Sequence, residues 1–265
     1  MNVAFTKMSG AGNDFILIDN RSLGLKLDHS RVAAMCHRHT GIGADGLLLL
    51  GLPSGSGFDF TMTYYNADGK PGSMCGNGGR CITRFAALQN GNGKTLFRFE
   101  AGGDAYTALL LDDGRVGLRM AAPKNFRNAF TVAGYTCFYA DTGSPHAVIF
   151  ADDVSRIDVY HEGKKVRNST ADFPEGANVN FAEVIASDTV RLRTFERGVE
   201  DETLACGTGA VATALISYRQ GKVKTNRVKL LVQSGETLEV SFTPDLTDVD
   251  LTGSASVVFT GTIDI

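Results

Sequence analysis

The sequence predicts an α+β protein of two similar, pseudo-symmetric domains, each a set of strands around one buried helix. Two observations predict it. The first is an internal repeat. Cys75-Gly76-Asn77-Gly78 reappears as Cys206-Gly207-Thr208-Gly209, a shift of 131 (206 − 75). The run FRFEAGGDAYTALLL around Gly102 resembles KLLVQSGETLEVSF around Gly235, a shift of 133 (235 − 102). Gly10 with Asn13 parallels Gly143 with His146, again 133 (143 − 10). One such match could be a chance likeness of short Gly-rich strings; three in one order at nearly one offset read as a duplication. The second observation is that each Cys motif stands between an alternating, strand-like run and an apolar, helix-like one.

The elements follow in order. FDFTMTYYN alternates and reads as a strand before the first motif. After the motif, CITRFAALQ carries apolar Ile82, Phe85, Ala86 and Leu88 at helical spacing, and Asn90-Gly91 is its stop. Strand signals with Gly turns come next. In the second half TVRLRTFER alternates in the same way, AVATALISY is apolar on nearly every side, and Gly221 is the stop. A helix apolar all round is buried in its domain. A chain of 265 residues has room for two domains of about 130 residues. The linker is placed at Ala121-Ala122-Pro123. The halves are then 1–121, carrying Cys75, and 122–265, carrying Cys206, with the last strand a candidate to return to the N-terminal half.

Composition narrows the function classes. A net charge of −3 and no basic run give no footprint for nucleic acid or an anionic membrane. No apolar run approaches a membrane span. MNVAFTKMSGAGNDF lacks the charged start and long apolar centre of a signal peptide. A cytoplasmic protein with reduced thiols is expected. The five cysteines (Cys36, Cys75, Cys81, Cys137 and Cys206) are odd in number and irregular in spacing, against both a disulfide framework and a structural zinc site.

Three motifs fail on context. Gly41-Ile42-Gly43-Ala44-Asp45-Gly46 fits G-x-G-x-x-G, but the helical SRVAAMCHRH precedes it and the strand-like LLLLG follows. A dinucleotide fingerprint needs the reverse order, so this is a Gly-rich turn. Gly93-Lys94-Thr95 resembles the end of a P-loop, yet Leu88 stands where the first glycine is required. His37 and His39, two apart in a helical stretch, do not face one ligand. No metal site is expected.

The paired Cys motifs carry the chemistry. A glycine after a Cys at a helix start permits a tight turn and close approach of backbone N–H groups. Those first N–H groups have no partner within the helix and form an anion site. The helix dipole also favours a thiolate there. Set face to face across a cleft between pseudo-symmetric domains, Cys75 and Cys206 would flank one α-carbon. A carboxylate would rest on the N–H groups of Gly76, Asn77, Gly207 and Thr208. One thiolate removes the α-proton and the opposite thiol delivers a proton to the other face. Without pyridoxal phosphate, carbanion charge must spread into the carboxylate and meet preorganised donors there. The plain alternative, buried structural thiols, is the usual state of cysteine. It is the reading for Cys36, Cys81 and Cys137.

These residues resemble the diaminopimelate epimerase family. Phe5-Thr6-Lys7-Met8-Ser9-Gly10-Ala11-Gly12-Asn13-Asp14-Phe15 looks like its N-terminal signature. Asn66-Ala67-Asp68-Gly69 with Met74-Cys75-Gly76-Asn77-Gly78-Gly79-Arg80-Cys81 looks like its first catalytic motif. Gly143-Ser144-Pro145-His146 stands at its G-N-P-H, and Gly176-Ala177-Asn178-Val179 at its Asn-containing segment. Glu196-Arg197-Gly198 with Ala205-Cys206-Gly207-Thr208-Gly209-Ala210 looks like the second catalytic motif.

The resemblance implies interconversion of LL- and meso-diaminopimelate, a step toward lysine and the cell wall, with no cofactor and no metal. It implies two pseudo-symmetric domains, each a mostly antiparallel sheet or barrel around a central helix, and a homodimer. Cys75 and Cys206 would be the acid/base pair, with His146 and Glu196 tuning them. Asn13, Asn66, Asn178, Glu196 and Arg197 would hold the substrate's polar ends; a planar Arg fork suits a distal carboxylate. Two positions depart from the pattern. Ser144 replaces an Asn expected at the substrate, and Gly46 stands where some members carry a Gln. Ser144 keeps a donor with a shorter reach.

Three alternatives stay open. A two-thiol racemase for another amino acid, such as histidine or hydroxyproline, would not need Arg197 with Asn66 and Asn178. An isomerase of the same fold using carboxylate chemistry would lack the paired thiols. A non-enzymatic anion-binding module would explain the helix starts but not two equivalent cysteines.

Overall fold

The computed structural model describes residues 1–72 and 74–265. Internal contacts divide the chain into two units, Met1–Leu118 with Gly253–Ile265, and Arg119–Thr252. The division falls just before the loop at 121–123.

The first unit opens with β1 (Asn2–Gly10) and β2 (Asn13–Asp19), an antiparallel hairpin. Its loop is Ala11-Gly12, both at positive φ (60° and 103°), the geometry that two-residue hairpin turns of matching twist require. Helix α1 (His29–Cys36) leads to β3 (Gly46–Gly51), which runs parallel to β2. Strand β4 (Phe60–Asn66) returns antiparallel to β3. Helix α2 (Gly76–Asn90) crosses to β5 (Leu96–Ala101), parallel to β4. Strands β6 (Asp104–Leu110) and β7 (Val116–Met120) continue antiparallel. Parallel neighbours need a crossover connection, and each helix serves as one.

The sheet is covered on both faces. Leu47 and Leu49 of β3 pack with Val32, Met35 and Cys36 of α1. Leu48 looks the other way, towards α2, where a Cβ added at Gly78 would lie 3.5 Å from it. Leu47-Leu48-Leu49-Leu50 is therefore buried without a break, which is why LLLL shows no alternation.

The second unit comprises β8 (Lys124–Val132), β9 (Tyr135–Asp141), β10 (Pro145–Phe150), a 3-10 turn at Val154–Arg156 and α3 (Val159–Arg167). It continues with β11 (Asn178–Ala186), β12 (Thr189–Glu196), β13 (Asp201–Thr203) and α4 (Gly207–Arg219). The last elements are β14 (Arg227–Leu231), β15 (Thr237–Phe242) and β16 (Val249–Gly253). Its pairings repeat the first unit's. β9–β10 is antiparallel, β10–β11 parallel across α3, β11–β12 antiparallel and β12–β14 parallel across α4. β14–β15–β16 is again antiparallel. The short β13, paired to the end of β12, is the insertion. Finally β17 (Ser256–Asp264) pairs antiparallel with β1, which is what joins the last residues to the first unit.

The α+β class holds, with differences in detail. Each unit carries two parallel pairings among the antiparallel ones. A second helix in each unit, α1 or α3, covers the outer face of the sheet. α4 is buried at Gly207 and continuously from Gly209 to Ser217; α2 is likewise buried without a break from Asn77 to Thr83 and at Phe85 and Ala86, but its last turn is exposed: Leu88, read as apolar face, is 56% exposed. The helix expected to run to His39 ends at Cys36, so the two histidines lie in a turn. Gly91, at φ 59°, closes α2 in the left-handed form, its N–H reaching the Ala87 carbonyl.

Candidate active-site residues

In the first unit Cys75 is the N-cap of α2, with extended backbone (φ −111°, ψ 122°) and no side-chain cap bond. Its carbonyl accepts the first helical bond, from Gly79 N–H at 2.8 Å. The next residues, Gly76 and Asn77, supply first-turn N–H groups, which have no acceptor within their own helix. The close approach of this helix to β1 depends on Gly10. A Cβ there would stand 2.9 Å from the Asn77 carbonyl and 3.0 Å from Cys81 Sγ.

A chain of oriented amides lies behind that turn. Arg80, fully buried, donates to Asn77 Oδ1 at 2.8 Å, and Asn77 Nδ2 donates to Asn13 Oδ1 at 2.5 Å. Asn13 Nδ2 donates in turn to Asp45 Oδ2 at 3.0 Å. Asp14 and Asp45 are held by Arg38, and Asp14 also pairs with buried Lys7 at 2.8 Å. Burial alone would raise the Asp14 pKa, but the hydrogen bonds and charges of Arg38 and Lys7 outweigh it and bring it down to about 2. Asn66 stands apart from this chain. It is exposed at the end of β4, opposite Gly46 on β3, and opens the turn to Gly69, whose N–H bonds its carbonyl at 2.9 Å.

In the second unit Cys206 is the N-cap of α4 (φ −119°, ψ 111°), 7% exposed, its carbonyl accepting from Ala210 N–H at 2.9 Å. Its Sγ lies 3.5 Å from Thr208 Oγ1. His146, with no solvent exposure, brings Nε2 to 2.9 Å from both Thr208 Oγ1 and Ser144 Oγ. Burial, and then the charge of Arg197, push the His146 pKa down to about 3, so the ring is neutral at any physiological pH. Gly143, at φ 102°, makes the turn that sets Ser144 beside it.

Asn178 bridges segments rather than ending in open space. Its Nδ2 donates to the Pro145 carbonyl at 3.0 Å and Ser144 Oγ at 3.3 Å, and its Oδ1 accepts Arg197 N–H at 2.8 Å. Glu196 Oε2 accepts from Thr203 Oγ1 at 2.8 Å. Arg197 Nη1 donates to the carbonyl of Glu175 at 3.1 Å. Asn180, not anticipated from the sequence, contacts His146 directly: Nδ2 lies 3.0 Å from Nδ1. Its signal was present, since residues two apart on a strand share a face and Asn178 was already singled out. Arg80 and Asp45 were likewise missed; each lay inside a motif read for its glycines.

Burial pushes the thiols of Cys36 and Cys137 up to about 11, as befits inert core cysteines. Among the described residues no group of three or more His, Cys, Asp or Glu could hold a metal ion, and no helix is long and apolar enough to cross a membrane.

Comparison with known proteins places these motifs in context. A family model described as diaminopimelate epimerase matches residues 5–124 and 138–258. A diaminopimelate epimerase from Chlorobaculum tepidum is 50% identical over 260 residues, covering 97% of this chain and 100% of the relative. One from Aquifex aeolicus is 40% identical over 269 residues, covering 97% and 96%. Among solved structures, a phenazine biosynthesis protein of the PhzF family from Bacillus anthracis superposes with TM-score 0.72 at 15% identity, covering 100% of both chains. A hydroxyproline epimerase from Agrobacterium vitis gives 0.70 at 15% identity, covering 99% of this chain and 91% of that one. At such identities these structures speak for the fold alone.

Proposed function

This chain belongs to the diaminopimelate epimerase family, and from that premise we infer that it interconverts LL- and meso-2,6-diaminopimelate by moving a proton between the two faces of one α-carbon. The enzyme is an isomerase, and its substrate is a small amino acid. One observation supports the mechanism above the rest. Each unit separately builds a cysteine into the N-cap of a Gly-started helix, with nearly the same backbone angles, after strands paired in the same order. We read the two units as copies of one ancestral half.

In this mechanism one thiolate, of Cys75 or Cys206, takes the α-proton, and the other thiol gives its proton to the opposite face. The two thiols exchange protonation states in each turnover. Carbanion charge spreads into the α-carboxylate, which the N–H groups of Gly76, Asn77, Gly207 and Thr208 stabilise. The chemistry needs no pyridoxal phosphate and no metal. His146 and Glu196 tune the thiols. Asn13, Asn66, Ser144, Asn178 and Arg197 shape the site around the substrate's polar ends, Asn13 through its tie to Asn77 and Asn178 by fixing the segments that bear Ser144 and Arg197. The protein is proposed to act in the cytoplasm, as a homodimer.

The test is proton NMR of purified protein with LL-diaminopimelate in D₂O and no added cofactor, beside parallel samples with L-histidine and trans-4-hydroxy-L-proline. Deuterium at the α-carbon and appearance of the meso isomer are expected only with diaminopimelate. Turnover of either other amino acid in its place would reassign the substrate.

A further inference from the structure

We propose that Asn180 is a positioning residue that holds His146 in its Nε2–H form, so that the Thr208 hydroxyl is left to donate its hydrogen to the Cys206 sulfur. The proposal rests on the reading of Cys206 as an acid/base group, but its structural half can be tested without activity.

The polarity can be worked out atom by atom. Asn180 Nδ2 is 3.1 Å from the Ala147 carbonyl oxygen, and its Oδ1 is 3.0 Å from Thr194 Oγ1. A carbonyl oxygen only accepts, so the amide nitrogen must be the atom that faces it. The same nitrogen faces His146 Nδ1 at 3.0 Å. Nδ1 therefore presents its lone pair. Because the fully buried ring is neutral, its one hydrogen sits on Nε2, which faces Thr208 Oγ1 and Ser144 Oγ, both at 2.9 Å.

Those two hydroxyls are 3.2 Å apart, and Thr208 Oγ1 is 3.5 Å from Cys206 Sγ. Ser144 Oγ already receives Asn178 Nδ2 at 3.3 Å. With the ring as donor, neither hydroxyl has to give its hydrogen to the ring, and the donor direction runs from His146 through the hydroxyls to the sulfur. In the opposite tautomer Nε2 would be an acceptor and would draw one hydroxyl hydrogen back. A donated hydrogen stabilises a thiolate and not a thiol, so this direction favours ionised Cys206. The packing has the same origin. A Cβ at Gly209 would collide with Asn180 Oδ1 and stand 3.3 Å from His146 Cε1, so glycine lets the helix start sit down on this pair.

Near the His146 end of the neighbouring elements stand Asp141 at the end of β9, Glu196 at the end of β12, Arg197 just after it and the Cys206 thiol at the N-cap of α4, and the charge of Arg197 is felt at the ring. The nearby face of β11 and the first turn of α4 contribute only the neutral Asn178, Asn180 and Thr208.

Long-range ¹⁵N–¹H NMR of histidine-labelled protein reports the tautomer of His146 directly. The wild type should show Nε2–H. In Asn180→Asp a carboxylate faces Nδ1 and requires a hydrogen on it; at a pH above the raised pKa of the ring so paired, where the ring is neutral, it should switch to Nδ1–H. There kcat for epimerisation should fall about tenfold or more, and the acidic limb of its pH profile should move up by about one unit. KM should change much less. Should Asn180→Asp fail to fold, Thr208→Val serves in its place: it removes the hydroxyl and keeps the shape, and should raise the same limb with the tautomer unchanged. An Nδ1–H ring in the wild type overturns the proposal. So does a limb that stays in place after the ring has switched, or after the Thr208 hydroxyl is gone. A wild type that shows Nε2–H but does not epimerise diaminopimelate would instead contradict the assigned reaction.

Discussion

At Arg80 a guanidinium with no solvent exposure donates to the carbonyls of Gly76 at 3.4 Å and Ser254 at 3.3 Å, besides Asn77 Oδ1. A planar fork makes several such bonds at once; a lysine ammonium is a point charge on a flexible stem. Arg80→Lys is expected to destabilise the protein by about 2 kcal/mol, since buried acceptors are left unmet. Activity should fall further than stability alone explains, because Asn77 and Asn13 lose their orientation. Urea unfolding beside kcat measures both, and equal stability with unchanged kcat would show the amide chain to be idle. Residues of this kind were the least legible in the sequence. Cys75 and Cys206 announce themselves by recurring; Asp45 and Asn180 matter through partners more than thirty residues away, Asn13 and His146, and Arg80 joins its own helix turn to the distant Ser254, and no local pattern encodes a distant partner.

The helices α2 and α4 show what periodicity can and cannot tell. Both were visible, and both begin at the Cys motif, where the cysteine is the N-cap in extended backbone with no side-chain cap bond. The α4 segment was read as buried all round, and it is. For α2 Leu88 was counted among the apolar positions at helical spacing, but it lies in the exposed last turn; the pattern of apolar residues does not say where burial along a helix ends. The difference has a measurable consequence. Phe85, 3% exposed, should cost about 3–5 kcal/mol on change to Ala, whereas Leu88→Lys should stay within about 0.5 kcal/mol of wild type. A large loss from Leu88→Lys would mean that this face is covered. Gly209→Ala belongs to the same scale. The added methyl meets Asn180 and His146, and thermal unfolding together with kcat should report a loss in both.

Over the whole molecule, a buried group, His146, and a half-buried one, Asp14, make stability fall in acid. The His146 pKa is lowered from 6.5 to about 3, so the unfolded chain binds the proton first. Its contribution is complete above about pH 6.5 and is lost as pH falls towards 3. Asp14 is lowered from 3.8 to about 2; its contribution, roughly 2 kcal/mol, is present above pH 4 and lost between there and pH 2. Urea titrations at pH 7, 5 and 4 should show stability already declining before carboxylates titrate, and Asp14→Asn should lose its disadvantage only at the acid end. The duplicated architecture was legible because a repeat constrains topology twice. Less legible were the parallel pairings, which depend on long-range pairing and leave no periodic mark.

The central claim is that two thiols, one from each unit, share one inversion. Its most direct test is α-proton exchange in D₂O with Cys75→Ser and Cys206→Ser, each started from LL- and from meso-diaminopimelate. The account predicts that neither variant inverts the centre at more than a small fraction of the wild-type rate. Inversion at a near wild-type rate by either one, with the protein folded and substituted as intended, would contradict it.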